Sequence, residues 1–155
     1  TCVLIATYLF QVGFVNHITS EYPNSYPLDL DRREKSSDLA ITVTTHSLYF
    51  VSQDIFSARW LLENANPVLK VYADWNSRNT VLKSYALLPA DGVLLITNDP
   101  KLESQTYIYL KYLNVRIGVI STGSSLILNT SDLSPTLRNC SKIYSNGDSA
   151  IYFTP

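Results

Sequence analysis

Charge is scarce in this chain: Asp, Glu, Lys and Arg make up 16% of its 155 residues, where soluble domains carry roughly 25%. Its surface must therefore be polar through Ser, Thr, Asn and Tyr, a pattern that suits an outer surface. A formal net charge of −1 provides no basic field to displace counterions from nucleic acid, and no cationic cluster exceeds Arg32-Arg33-Glu34-Lys35, so nucleic acid is not an expected partner. The two cysteines, Cys2 and Cys140, show neither CxxC nor Cys/His spacing, which excludes zinc-ribbon and thioredoxin-type chemistry. Cys2 lies in an apolar run, so two separate buried thiols are favoured over a pair. Five glycines form no phosphate loop: Gly92 precedes its strand, Gly118 lies inside one and Gly123 stands alone among Ser and Thr. No nucleotide, metal or other cofactor is expected. His17 and His46 sit in no HxxxH or GxS context, and no nucleophile-base set suggests itself, so no catalytic residue is assigned. Methionine is absent even at position 1, and a chain opening inside an apolar run is expected to be a piece of a longer protein.

What is present begins with that run. Cys2 to Val15 reads CVLIATYLFQVGFV, and no charged residue precedes Glu21. It is shorter than the roughly 20 apolar residues that span a bilayer, yet long enough to be the outer end of a span, and it lacks the features of a signal peptide. Tyr8, Phe10, Phe14 and Tyr22 fall where an interfacial aromatic belt would sit. Residues 1–18 are thus read as an apolar helix ending a membrane span, 19–38 as a polar linker, and 39–155 as an extracytoplasmic α/β domain. The triplets Asn129-Thr130-Ser131 and Asn139-Cys140-Ser141 make Asn129 and Asn139 candidate glycosylation acceptors, which fits an exterior location.

Periodicity organises the remainder. LAITVTTHSLYFVS is rich in β-branched residues and predicts one or two strands or an extended lead-in. In QDIFSARWLLENAN, helical spacing of Ile55, Ala58, Arg59 and Leu62 follows a Ser52 cap, with Asp54 well placed in the first turn. VLKVYADW reads as a strand, NSRNTVLKSYALLP as a helix capped by Asn76 or Ser77, and VLLITN as a strand buried on both faces. DPKLESQTYIYLKYLN predicts a third helix starting at Asp99-Pro100, and VRIGVIS a third strand. Alternating helices and strands call for a short parallel sheet covered on both sides, a Rossmann-like three-layer unit. Residues 142–153 predict a β-hairpin with a type I′ turn at Asn146-Gly147.

In a parallel sheet, ligands bind beyond the carboxyl ends of the strands. Asp74 and Asp99 occupy those ends and could bind a cation or a sugar hydroxyl, with Trp75 stacking on the ring. The competing role of both aspartates is to cap the next helix, which is favoured. Tyr107, Tyr109 and Tyr112 could line a carbohydrate groove, although such residues more often fill a core edge while their hydroxyls reach water; Tyr107 lies off the helical stripe set by Leu102, Tyr109, Tyr112 and Leu113 and is the member expected to be exposed.

The apolar run followed by GFVNHITSEYP, VSQDIFSARWLLEN, KVYADW, YIYLKYLNVRIGVIS and the closing KIYSNGDSAIY resembles the C-terminal part of uncharacterised archaeal polytopic membrane proteins, which themselves look like membrane-embedded glycosyltransferases of the GT-C type. The resemblance implies an outward-facing domain after many spans, and a catalytic acid in loops this chain does not include. The domain would be a non-catalytic accessory contacting an acceptor glycan, a lipid-linked sugar or a partner. Two other readings stay open: a free-standing α/β carbohydrate- or metal-binding domain or small hydrolase using Asp74 and Asp99, and a structural subunit of a cell-surface assembly that self-associates through its apolar run.

Overall fold

The structure, a computed structural model, describes residues 2–11, 33, 35–48, 50–97, 102–123 and 127–155. It divides into two compact units, Thr1–Leu48 and Tyr49–Pro155.

In the first unit, α1 spans Cys2–Gln11 and α2 spans Leu39–Leu48. The β-branched segment predicted as strand is thus helical. Asp38 explains the start, its carboxylate accepting from the Ala40 amide at 2.8 Å as an N-cap. Thr42, Thr44, Thr45 and Ser47 each donate a hydroxyl to the carbonyl four residues back, so residues with strand propensity satisfy their polar groups inside a helix. Buried Arg33 donates Nε to Thr45 Oγ1 at 3.1 Å.

The second unit starts with α3, Ser52–Asn64, in which Val51 occupies the cap position predicted for Ser52. Strand β1 (Val71–Ala73) leads into α4, which is α-helical over Trp75–Ser77, widens to a π-helix over Arg78–Leu82 and resumes over Lys83–Tyr85. Asp74, ahead of the predicted caps Asn76 and Ser77, is its N-cap. There follow β2 (Val93–Leu95), β3 (Thr106–Leu110) and a π-helical turn, α5 (Leu113–Ile117). Then come β4 (Val119–Ser121), β5 (Ile127–Asn129), a 3-10 turn (Thr130–Leu133), α6 (Ser134–Leu137), β6 (Ser141–Ser145) and β7 (Ala150–Thr154).

A five-stranded mixed sheet runs in the order β2-β1-β3-β7-β6, with β4 and β5 forming a separate antiparallel pair. β1 is parallel to both β2 and β3, whereas β7 is antiparallel to β3 and β6. The helix predicted from Asp99 onward is therefore corrected: TYIYL is the central strand, buried throughout. Its Tyr107 and Tyr109 face one core cluster, while Ile108 and Leu110 face another, a period of two that the helical reading of Tyr109, Tyr112 and Leu113 overlooked. The Asp99-Pro100 start itself lies outside the described residues. VRIGVIS contributes β4, but to the small sheet rather than the main one. VLLITN supplies an edge strand, with Leu94 and Leu95 half-buried rather than enclosed.

Two cores result. Ala58 and Leu61 of α3 and Val81 and Leu82 of α4 pack with Val71, Ala73, Tyr109 and Ile151 on one face. On the other, Tyr72, Ile96, Ile108 and Leu110 pack with Ile120 and Leu133. The second face is thus covered by the small sheet and short helical turns, because the segment assigned to a covering helix is used as β3.

The closing hairpin forms, with a four-residue loop, Asn146 to Ser149, in place of a type I′ turn. Type I′ needs positive φ at both central residues; here only Gly147 has it, at 93°. Asn146 instead accepts through Oδ1 from the Asp148 and Ser149 amides at 3.2 and 2.9 Å, the side-chain turn its residue type favours.

Candidate functional site

β2 is a neighbour of β1 on one side, and β3 on the other. The chain therefore reverses its direction of travel across the sheet between β1 and β3, and open α/β sheets bind ligands beyond the carboxyl ends of strands at such a point. The residues that follow these two strands are Asp74 and Lys111. Both are buried, together with Asp54 from the first turn of α3 and Asn114 from α5.

Hydrogen bonds tie the cluster together. Asp74 Oδ1 accepts from the Ser77 amide at 2.6 Å, and its Oδ2 from Asn114 Nδ2 at 3.0 Å. The same Asn114 amide nitrogen donates to the Val119 carbonyl at 2.8 Å, while its Oδ1 accepts from the Lys111 amide at 2.8 Å. Asp54 Oδ1 accepts from the Tyr112 amide at 2.7 Å. The hydroxyls of Ser57 and Tyr109 reach the Asp54 carbonyl at 2.9 and 3.0 Å and lie 3.0 Å from each other.

Burial sets the electrostatics. It pushes the Asp54 carboxyl above its usual range, against the opposing pull of the Tyr112 amide, the Lys111 charge and the Val51 amide. It lowers the Lys111 ammonium, which the Asp74 and Asp54 carboxylates hold back up. The Tyr109 phenol is raised well above its ordinary value, first by burial and then by the neighbouring Asp54 charge. A buried amine under the charge of two buried carboxylates is of a chemical type that can transfer protons. Here, however, both Asp74 oxygens already accept hydrogen bonds within the fold, and Lys111 is 1% exposed. What the cluster does is lock the ends of β1 and β3 to the start of α3 and to α5.

The residues predicted from sequence separate accordingly. Asp74 caps α4 and joins the cluster. Trp75 beside it is 41% exposed. Asp99 lies outside the described residues. Tyr107, expected on the surface, is buried on β3: its hydroxyl accepts from the Asn66 amide at 3.1 Å and its ring meets Phe153. Asn129 and Asn139 are exposed, at the end of β5 and after α6. Cys140 is a free thiol whose Sγ donates to the Thr136 carbonyl. Asp54, Tyr109, Lys111 and Asn114 were not singled out as site residues. The available signal was Lys111, a lone charge inside the apolar stretch YIYLKYL.

Among the described residues no three His, Cys, Asp or Glu groups converge to hold a metal, and no helix is long and apolar enough to cross a membrane. No curated protein and no solved structure matches the sequence. A family model does match it, over residues 1–152, and is described as "Predicted membrane protein (DUF2206)". With all but the last three residues inside that match, the chain belongs to this family of predicted membrane proteins.

Proposed function

We propose that this chain is a non-catalytic accessory domain of a membrane protein resembling GT-C glycosyltransferases, lying on the outer face of the membrane and held at the bilayer by its apolar segment 1–18. The observation that carries the reading is the surface of α1: Leu4, Ile5 and Tyr8 are 74%, 55% and 63% exposed on a helix without a single charged residue. Exposed apolar groups in contiguity mark a surface that meets lipid or protein, and membership of a membrane protein family favours lipid. A non-catalytic role is favoured by the chemistry of the buried cluster, whose acceptors are spent inside the fold. The exposed acceptors Asn129 and Asn139 suit an exterior face. The parallel core β2-β1-β3 with helices on one face is the part of the domain closest to a Rossmann-like unit. Glycan contact would draw on Trp75, the exposed aromatic at the carboxyl end of β1.

Flotation of the full chain with phosphatidylcholine vesicles tests the membrane claim. The chain should rise with the vesicles, and the double substitution Leu4→Asp, Ile5→Asp should leave it in the aqueous fraction. Each aspartate placed among acyl chains costs about 2.5–3.5 kcal/mol. If both proteins stay at the bottom of the gradient, or both float alike, α1 is not the anchor and the reading fails.

A further inference from the structure

We infer that the outward face of α3 is a self-docking surface, on which two copies of this chain meet as an antiparallel, two-fold symmetric helix pair. Asp54, Ser57, Ala58 and Leu61 turn inward. At about 100° per residue, the opposite side of the helix presents Phe56, Arg59, Leu62 and Glu63. All four are exposed, Phe56 by 57% and Leu62 by 49%. A surface helix ordinarily keeps large apolar groups off this side, yet here two of them accompany one base and one acid. Trp60, at the margin, is already stacked on Tyr144 with ring centroids 4.9 Å apart, so Phe56 and Leu62 are the apolar groups left open.

The two charges say what covers the face. Arg59 and Glu63 stand one turn apart, yet neither side chain has an ion-pair or hydrogen-bond partner among the described residues. Within a helix, base before acid is the weaker order at this spacing. Glu63 also lies in the last turn of α3, where the negative end of the helix dipole disfavours an acid. A cation brought to that end from outside removes both deficits, and an antiparallel second copy brings one. With the two-fold axis at the level of Leu61, residue 59 of each helix lies opposite residue 63 of the other, so the Arg59–Glu63 pair forms twice. The same axis sets Leu62 beside Leu62 of the second copy and carries Phe56 to the other helix end, which the exposed Val68 follows. A different partner would have to supply the reversed order of charges, whereas a second copy supplies it by symmetry. Thirteen residues make α3 about 20 Å long, so the interface is small and the association weak. This inference does not depend on the membrane reading, since α1 takes no part in it.

The test is sedimentation velocity of the full chain carrying Leu4→Asp and Ile5→Asp, which removes association through α1, at concentrations up to about one millimolar. A reversible equilibrium between monomer and dimer is expected. Arg59→Glu and Glu63→Arg, at exposed positions that leave the core untouched, should each weaken it by about tenfold or more, because each sets like charges together at two symmetric contacts. The two reversals change net charge in opposite directions, so an equal loss is not a general charge effect. Both together recreate the pairs in reverse and should restore the affinity to within about threefold, the intrahelical pair that they also favour taking up the remainder. A chain that stays monomeric throughout overturns the inference, as does a dimer indifferent to either single reversal, or a double variant as weak as the singles.

Discussion

One side chain, Asn114, completes three bonds that would otherwise be broken in a dry interior: it accepts from the Lys111 amide and donates to Asp74 and to the Val119 carbonyl. Around it, the Lys111 charge acts on Asp54 and Asp74, and a buried ion set of this kind adds little net stability, because the cost of desolvation offsets the attraction. Its titration is testable through Asp54, whose carboxyl is raised in the folded chain chiefly by burial. A carboxyl raised on folding holds its proton more tightly in the native than in the unfolded state. The stability it confers is therefore greatest in acid and falls as the pH climbs from the unfolded carboxylate range through the folded pKa. Asp54→Asn has no such titration, so the native chain should lose stability relative to this variant as the pH rises above the ordinary carboxylate range. Urea midpoints over that rise measure it, and a difference that is flat or moves the other way would refute the assignment. Of this cluster, Asp74 was legible from sequence, because a carboxylate between a strand and a helix is a cap by residue type. Lys111 and Asn114 were not, since what buries them is the pairing of β1 with β3, more than thirty residues apart.

Elements were legible where local signals agreed with tertiary use. α3, β1, α4 and the closing hairpin were legible as elements from their periodicity and turn residues, although the caps lay one to three residues earlier than predicted and the hairpin turn is of another type. α2 was misread because its threonines have strand propensity, yet each of three returns its hydroxyl to the preceding turn. β3 was misread because Tyr109, Tyr112 and Leu113 mimic a helical stripe that continues into a real helical turn, α5. The hairpin loop shows how one residue can fix an element and its docking together. Asn146 Oδ1 accepts from two loop amides and from Ser149 Oγ, while its Nδ2 donates to the Gln53 carbonyl at the start of α3. Asn146→Ala removes these bonds, and the Gln53 carbonyl keeps its place in the α3 ladder and Ser149 Oγ at 3.2 Å. The expected loss is about 1–3 kcal/mol, read from a denaturant midpoint, together with faster amide exchange at Asp148 and Ser149. Unchanged exchange at those two amides would show that the backbone turn holds itself.

At the scale of the unit Tyr49–Pro155, the sheet depends on a strand that arrives last. Mixed α/β layering could be read from the alternation of segments, but strand order could not, because non-local pairing leaves no periodic trace in sequence. β3 is buried along its whole length, and one of its two edges is covered by β7 alone, with Tyr107 paired to Phe153 and Tyr109 to Ile151. The fully buried Ile151 belongs to the main core, and Thr154 Oγ1 meets both the Thr106 amide and the Thr106 hydroxyl at 2.8 and 2.9 Å. A chain ended after Cys140 would keep all three parallel strands yet bare the edge of β3, with two tyrosines and an apolar face toward water. Losing Ile151 alone costs about 2–5 kcal/mol, and the five ladder pairs go with it, which together rival the ~5–15 kcal/mol that holds a domain folded. Such a chain should show no cooperative thermal transition and should associate through the open edge, whereas the intact chain with Phe153→Leu, which keeps the ladder, should melt cooperatively. A sharp transition in the shortened chain would mean that the parallel strands are self-sufficient and that β7 is an addition to a sheet already complete.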